Sequence, residues 1–173
     1  MYVILYIDIR YNKDVKNMNK IMNKAIDNAL NGIRNKEGGP FGAVIVDREG
    51  NIISCGNNKV IINNDPTAHA EVVAIRNACQ RLNTYDLSNY IMYTTCEPCP
   101  MCLGAIIWSN IKTVYYGCDK VDANNIGFRD DIIYDYIKGK NKNLINMYHI
   151  ENKEALKNFQ EFKENDKKIM YWY

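Results

Sequence analysis

No stretch of this 173-residue chain is long and apolar enough to cross a bilayer. Its opening run, residues 1–7, is short and is interrupted by Asp8 and Arg10, against the ~20 apolar residues a spanning helix needs. The same run lacks the layout of a secretory leader. An excess of one charge is missing too: 22 basic residues face 20 acidic ones, and the basic ones are scattered, so no footprint for a nucleic-acid backbone is present. Internal repeats are absent, and the length suits one domain with a full core. Six cysteines without a leader fit a reducing, cytoplasmic setting better than a disulfide framework.

The cysteines that are there are concentrated. Cys96-Glu97-Pro98-Cys99-Pro100-Met101-Cys102 follows an expected strand and opens an expected helix. That places Cys99 and Cys102 on one face of a first turn, where two sulfurs can share a metal. The polarised helix N-terminus favours thiolates, and Pro98 and Pro100 suit a helix start. Upstream, Thr67-Ala68-His69-Ala70-Glu71 puts His69 where another helix should begin. One imidazole and two thiolates leave a tetrahedral zinc with one open place for water, the arrangement of a catalytic site. Such a site needs a base beside the water, and Glu71 is the candidate. Three other readings stand beside this one: a closed structural site of Cys96, Cys99, Cys102 and His69, a C-x-x-C redox pair, and inert buried thiols.

In order, apolar spacing predicts a helix over 19–35, a β-hairpin over 41–46 and 52–55, and a polar loop over 57–66. A helix to about residue 82 follows, capped by Asp65 or Thr67. A third strand is expected over 90–94, a helix through Trp108, a fourth strand over 111–117 and an irregular polar loop over 121–131. A fifth strand over 144–150 and a helix over 153–164 complete the pattern. Helices alternating with strands on either side of the cysteine turn imply an α/β sheet with helices packed on it. Residues 1–17 read as a dispensable extension, with the domain proper over 18–173. His149 reads as structural or exposed, and Cys55, Cys79 and Cys118 as core or loop thiols.

The motifs Gly39-Pro40-Phe41-Gly42-Ala43-Val44, Asn64-Asp65-Pro66-Thr67-Ala68-His69-Ala70-Glu71 and Cys96 through Ala105 resemble the cytidine/deoxycytidylate deaminase superfamily, and within it the short bacterial guanine deaminases. The resemblance implies a three-layer α-β-α fold with a mixed five-stranded sheet and helices on both faces. It further implies one Zn2+ per chain on His69, Cys99 and Cys102, with Glu71 as proton carrier. Asn58 would hydrogen-bond the base, Phe41 and Trp108 would line the pocket, and Asp130 would act near the leaving amine. A terminal tyrosine, Tyr173 or its neighbours Tyr171 and Trp172, would enter the pocket, in a homodimer that exchanges C-terminal segments. Bland alternatives remain for each: Trp108 as core, Asn58 as a turn residue, Asp130 as a helix cap and the terminal aromatics as packing. The activity implied is hydrolysis of guanine to xanthine and ammonia. Deamination of transfer-RNA adenosine or of free cytosine, and a purely structural zinc, are the competing readings. The mixed-charge tail Lys163-Glu164-Asn165-Asp166-Lys167-Lys168 favours a small substrate over RNA.

Overall fold

Strand β1, Gly42–Val46, is buried at all five positions, which a strand achieves only when both its faces are covered. The computed structural model describes residues 2–140 and 143–170, with side chains described from residue 15 onward. Helix α1 (Tyr2–Arg34) precedes β1. Then come β2 (Ile52–Asn57), α2 (Val60–Asn63), α3 (Ala70–Leu82), β3 (Ile91–Cys96), α4 (Pro100–Trp108), β4 (Thr113–Cys118), α5 (Lys120–Asn125), α6 (Asp131–Ile137) and α7 (Lys153–Glu164). The sheet order is β2-β1-β3-β4. β1 runs antiparallel to β2 and β3, and β3 runs parallel to β4 across the α4 crossover.

Alternation along β1 divides the core into two layers. Ala43 and Ile45 pack with Ala70, Ala74, Ile75 and Ala78 of α3, Met92 of β3 and Ile106 of α4. Val44 and Val46 turn to the other face, onto Ile21 and Ala25 of α1 and Tyr93 of β3. Helices therefore cover both faces of a mixed sheet. Val44, Ile45 and Val46 are at most 1% exposed, and burying each contributes about 1.5–3 kcal/mol. Two glycines let the layers approach. A Cβ on Gly42 would strike the backbone of Ala25 and Ala29 in α1, and one on Gly56 would strike that of Ala70 and Ala74 in α3. The second contact seats the start of α3, and with it His69, against the sheet.

Several expectations are corrected. The first helix is not confined to 19–35 but runs from Tyr2 through the presumed extension, because that stretch contains neither proline nor glycine to stop it. The sheet has four strands among the described residues, not five. Segment 144–150 carries no regular structure and is exposed throughout, since a strand needs a neighbour and β4 offers its edge to none here. The loop expected over 121–131 is helical in its first half, where α5 runs to Asn125, and irregular from 126 to 130. Asp119 accepts from the backbone N–H groups of Val121 and Asp122 at 2.8 and 3.0 Å, while Asp122 accepts from Asp119 N–H at 3.0 Å. This reciprocal capping box starts α5. Four residues of the polar loop form α2. The N-cap of α3 is His69, not Asp65 or Thr67. Asp65 instead accepts from the Thr67 backbone N–H and hydroxyl at 2.8 and 2.6 Å, which shapes the turn into the helix.

Candidate metal centre and active-site cleft

Two helix N-termini converge at one end of the sheet. His69 is the N-cap of α3, and Cys99 is the N-cap of α4, with Pro100 at the first helical position. Neither makes a side-chain capping bond, so both side chains are available for another task. They meet, together with Cys102 from the first turn of α4. His69 Nδ1 lies 3.6 Å from Cys99 Sγ and 3.5 Å from Cys102 Sγ, and the three donor atoms fall within 4.8 Å of one another.

These distances test the fit to zinc. A tetrahedral ion with Zn–S of about 2.3 Å and Zn–N of about 2.05 Å holds nitrogen and sulfur about 3.55 Å apart. The observed separations match that edge, and the donor set is a catalytic one. Cys96 takes no part: its thiol donates to the Asp119 carbonyl at 3.6 Å. Burial, with the Cys118 charge behind it, pushes that thiol up to about 12. His69, Cys99 and Cys102 are the one such cluster among the described residues. The closed four-ligand alternative with Cys96 therefore has no geometric support.

Electrostatics favours one negative charge on the sulfur pair, and places it on Cys99. Hydrogen bonds accepted from Cys102 and from His69 hold the Cys99 thiol down to about 4 despite burial, while the bond to Cys99 drives the Cys102 thiol upward. The same hydrogen bond to Cys99 raises the His69 imidazole, against burial. Val72, Met101 and Ala105 pack around the two sulfurs, which shields the pair from bulk water.

Beside the triad lies a small cleft of about 30 Å3, bordered by His69, Cys99, Glu71, Asp130, Phe41 and Phe128. Glu71 is 6% exposed, and burial raises its carboxyl above the usual range, with the neighbouring Cys99 charge adding to the effect. Asp130, brought in just ahead of α6, is raised by burial and then by Cys99. It makes no side-chain capping bond, so the cap alternative for Asp130 finds no support. Phe41 and Phe128 meet edge to face, ring centres 4.8 Å apart. Among the described residues, then, the cleft gathers His69 and Cys99 of the triad with Glu71, Asp130 and Phe41, while Cys102 lies buried behind it.

Other expected residues are placed elsewhere. Asn58 is 3% exposed, and its side-chain oxygen accepts from Val60 N–H at 3.2 Å; it is not part of the cleft border. Trp108 sits at the far end of α4, about 13 Å of helical rise from Cys99, and is 61% exposed. It neither lines the cleft within one chain nor belongs to the core. Tyr171, Trp172 and Tyr173 lie outside the described residues. Phe128 and Glu97 border the cleft without having been singled out, and Cys96 borders it as wall, not as the fourth ligand of a closed site. Phe128 stands two residues before Asp130, so an aromatic that close to a catalytic candidate was the available signal.

The family model for the cytidine and deoxycytidylate deaminase zinc-binding region matches residues 15–118. Guanine deaminase from Bacillus subtilis (strain 168) is 46% identical over 156 residues, covering 90% of this chain and 99% of that protein. The X-ray structure of guanine deaminase from Bacillus subtilis superposes with a TM-score of 0.84 at 44% identity, covering 89% of this chain and 98% of the other. The tRNA-specific adenosine deaminase of Haemophilus influenzae is 45% identical over 97 residues, 56% of each chain.

Proposed function

The chain belongs to the cytidine and deoxycytidylate deaminase family, and from that premise we propose that it hydrolyses guanine to xanthine and ammonia. One observation carries the choice of base. The likeness to a guanine deaminase extends over 156 residues and nearly the whole of that protein, whereas the likeness to a transfer-RNA adenosine deaminase covers 97 residues.

His69, Cys99 and Cys102 would hold zinc, and the ion when bound would supply Lewis-acid activation of a water. The remaining chemistry belongs to the chain. Glu71, two residues beyond His69 and buried against the triad, takes a proton from the water and delivers it to a ring nitrogen of the base. Guanine C2, flanked by two ring nitrogens, is electron-poor and would accept the water oxygen; Asp130 or Glu71 would then pass the proton of the new C2 hydroxyl to the exocyclic amine, which leaves as ammonia as the C2 carbonyl of xanthine forms. Phe41 and Phe128 offer ring surface to a flat heterocycle. Asn58, buried outside the present cleft border with its oxygen engaged by Val60 N–H, would present its amide NH2 to a base edge once the cleft opens to admit the base. Cavity size bears on entry: about 30 Å3 holds water at roughly 10–15 Å3 per molecule but not a purine, so Phe128 moves aside as the base enters.

We further propose a homodimer. β4 is an unpaired edge in the described sheet, and Leu144, Ile145, Met147, Tyr148 and Ile150 are exposed. Helix α7 likewise exposes Leu156, Phe159 and Phe162. Pairing of segment 144–150 with the β4 edge of a second copy would cover both. A terminal aromatic, Tyr173 among them, would then reach a partner's cleft, and Trp108 would come near the same interface. No described helix is long and apolar enough to cross a membrane, and six free cysteines suit a cytoplasmic setting. Ammonia release from guanine, cytosine, adenine, guanosine and a transfer-RNA anticodon stem tests the substrate. Guanine is expected to lead, and turnover of the RNA alone would overturn the reading.

A further inference from the structure

A second pair of thiols lies outside the metal triad. Cys96 ends β3 and Cys118 ends β4, and the two are partners in the parallel ladder. Partner residues on neighbouring strands sit about 4.8 Å apart and project from the same face. That separation lies within the window of roughly 4.4–6.8 Å between Cα atoms that a disulfide spans. Both side chains border one open, largely apolar groove of about 480 Å3, next to Phe41, Pro40 and Ile126. Cys96 and Phe41 also border the metal cleft, so they form the wall between groove and cleft. Within one chain Cys118, the last residue of the β4 edge, is exposed, and Cys96 is buried.

We propose that Cys96 and Cys118 are a reversible modification site that low-molecular-weight disulfides convert to an intramolecular disulfide, slowing the enzyme. The exposed Cys118 thiolate attacks the small disulfide, forming a mixed disulfide and releasing one small thiolate. The Cys96 sulfur then attacks Cys118 Sγ, the Cys96–Cys118 bond forms, and the second small thiolate leaves. Two protein thiols lose two electrons and two protons, and the small disulfide is reduced to two thiols. Burial keeps Cys96 protonated, so the second step is the slow one. Bond formation takes the Cys96 sulfur from the Asp119 carbonyl it now holds and moves the wall beside the triad. Adjacent-strand geometry strains such a bond, which makes it easy to reduce again.

The test incubates zinc-loaded full-length protein with oxidised glutathione and follows thiol count, peptide masses, zinc content and guanine turnover. The expected course is fast loss of one thiol and slow loss of a second. A Cys96–Cys118 linked peptide should form while zinc stays unchanged, and turnover should fall several-fold and recover with dithiothreitol. Cys118→Ser is expected to start at wild-type turnover, form no link and keep its activity in the oxidant. A link between two copies through Cys118, a link involving Cys99 or Cys102, or equal sensitivity of Cys118→Ser would overturn the proposal. The effect on turnover rests on the guanine reading, but the linked peptide does not. Failure of that reading shows as an inactive protein before any oxidant is added.

Discussion

Replacing Glu71 with glutamine separates proton transfer from everything else the residue does. Glutamine keeps the size and packing of a side chain that is 6% exposed and removes no donor atom from the triad, so zinc should stay at one ion per chain. Turnover of guanine should fall by about 10²–10⁴-fold, the range for loss of a general acid–base. That is roughly 2.7–5.4 kcal/mol of activation free energy. Stability should move the other way. Burial raises the folded-state pKa of Glu71, so the ionised carboxyl opposes folding at pH values above its unfolded pKa, and the opposition disappears as pH falls below it. The metal-free Glu71→Gln protein should therefore melt at or above wild type at pH 7, with the gap closing in acid. Coupled ammonia assays, elemental analysis and thermal melts read the three quantities. Turnover within tenfold of wild type would refute the proton-carrier role, and loss of zinc would show that Glu71 serves the metal instead.

Other perturbations reach the scaffold. Gly56→Ala drives a Cβ into the backbone of Ala70 and Ala74, so it should destabilise by about 1–3 kcal/mol, lowering Tm by roughly 2–4 °C per kcal/mol, and should weaken zinc binding because the displaced helix carries His69. The buried Thr94 hydroxyl has no hydrogen-bond partner, so Thr94→Val should raise Tm, by up to about 1–3 kcal/mol of stability; a lower Tm would show that the hydroxyl is satisfied in solution. Removing residues 1–17 should leave zinc content and guanine turnover intact, since the buried stripe of α1 includes Ile21, Ala25 and Ala29; loss of either would make the extension part of the working domain.

The metal triad was legible because its spacing is local: Cys99 and Cys102 share one helical turn, and His69 precedes a helix start, so little tertiary information was needed. The β-hairpin and the α4 crossover were equally plain from alternation and turn residues. What escaped depended on less local facts. The capping box at Asp119 uses aspartate at its third position instead of the commoner glutamate, which hid α5 in a polar stretch. Segment 144–150 has the composition of a strand, but a strand forms only beside a partner, and none is supplied within the described chain. Trp108 fits an apolar helical face, yet that face at the end of α4 turns away from the sheet. Phe128 became visible as a cleft residue only when its loop folded back onto Phe41.

The proposed chemistry depends on a metal held by one imidazole and two sulfurs with one position open to solvent. X-ray absorption at the zinc edge of the loaded protein tests it most directly. The geometry of His69, Cys99 and Cys102 predicts two sulfurs at about 2.3 Å and two lighter ligands at about 2.0–2.1 Å, one of the lighter pair being exchangeable water. A shell with three sulfurs and no exchangeable ligand would bring Cys96 into the site and make the zinc a closed, structural one.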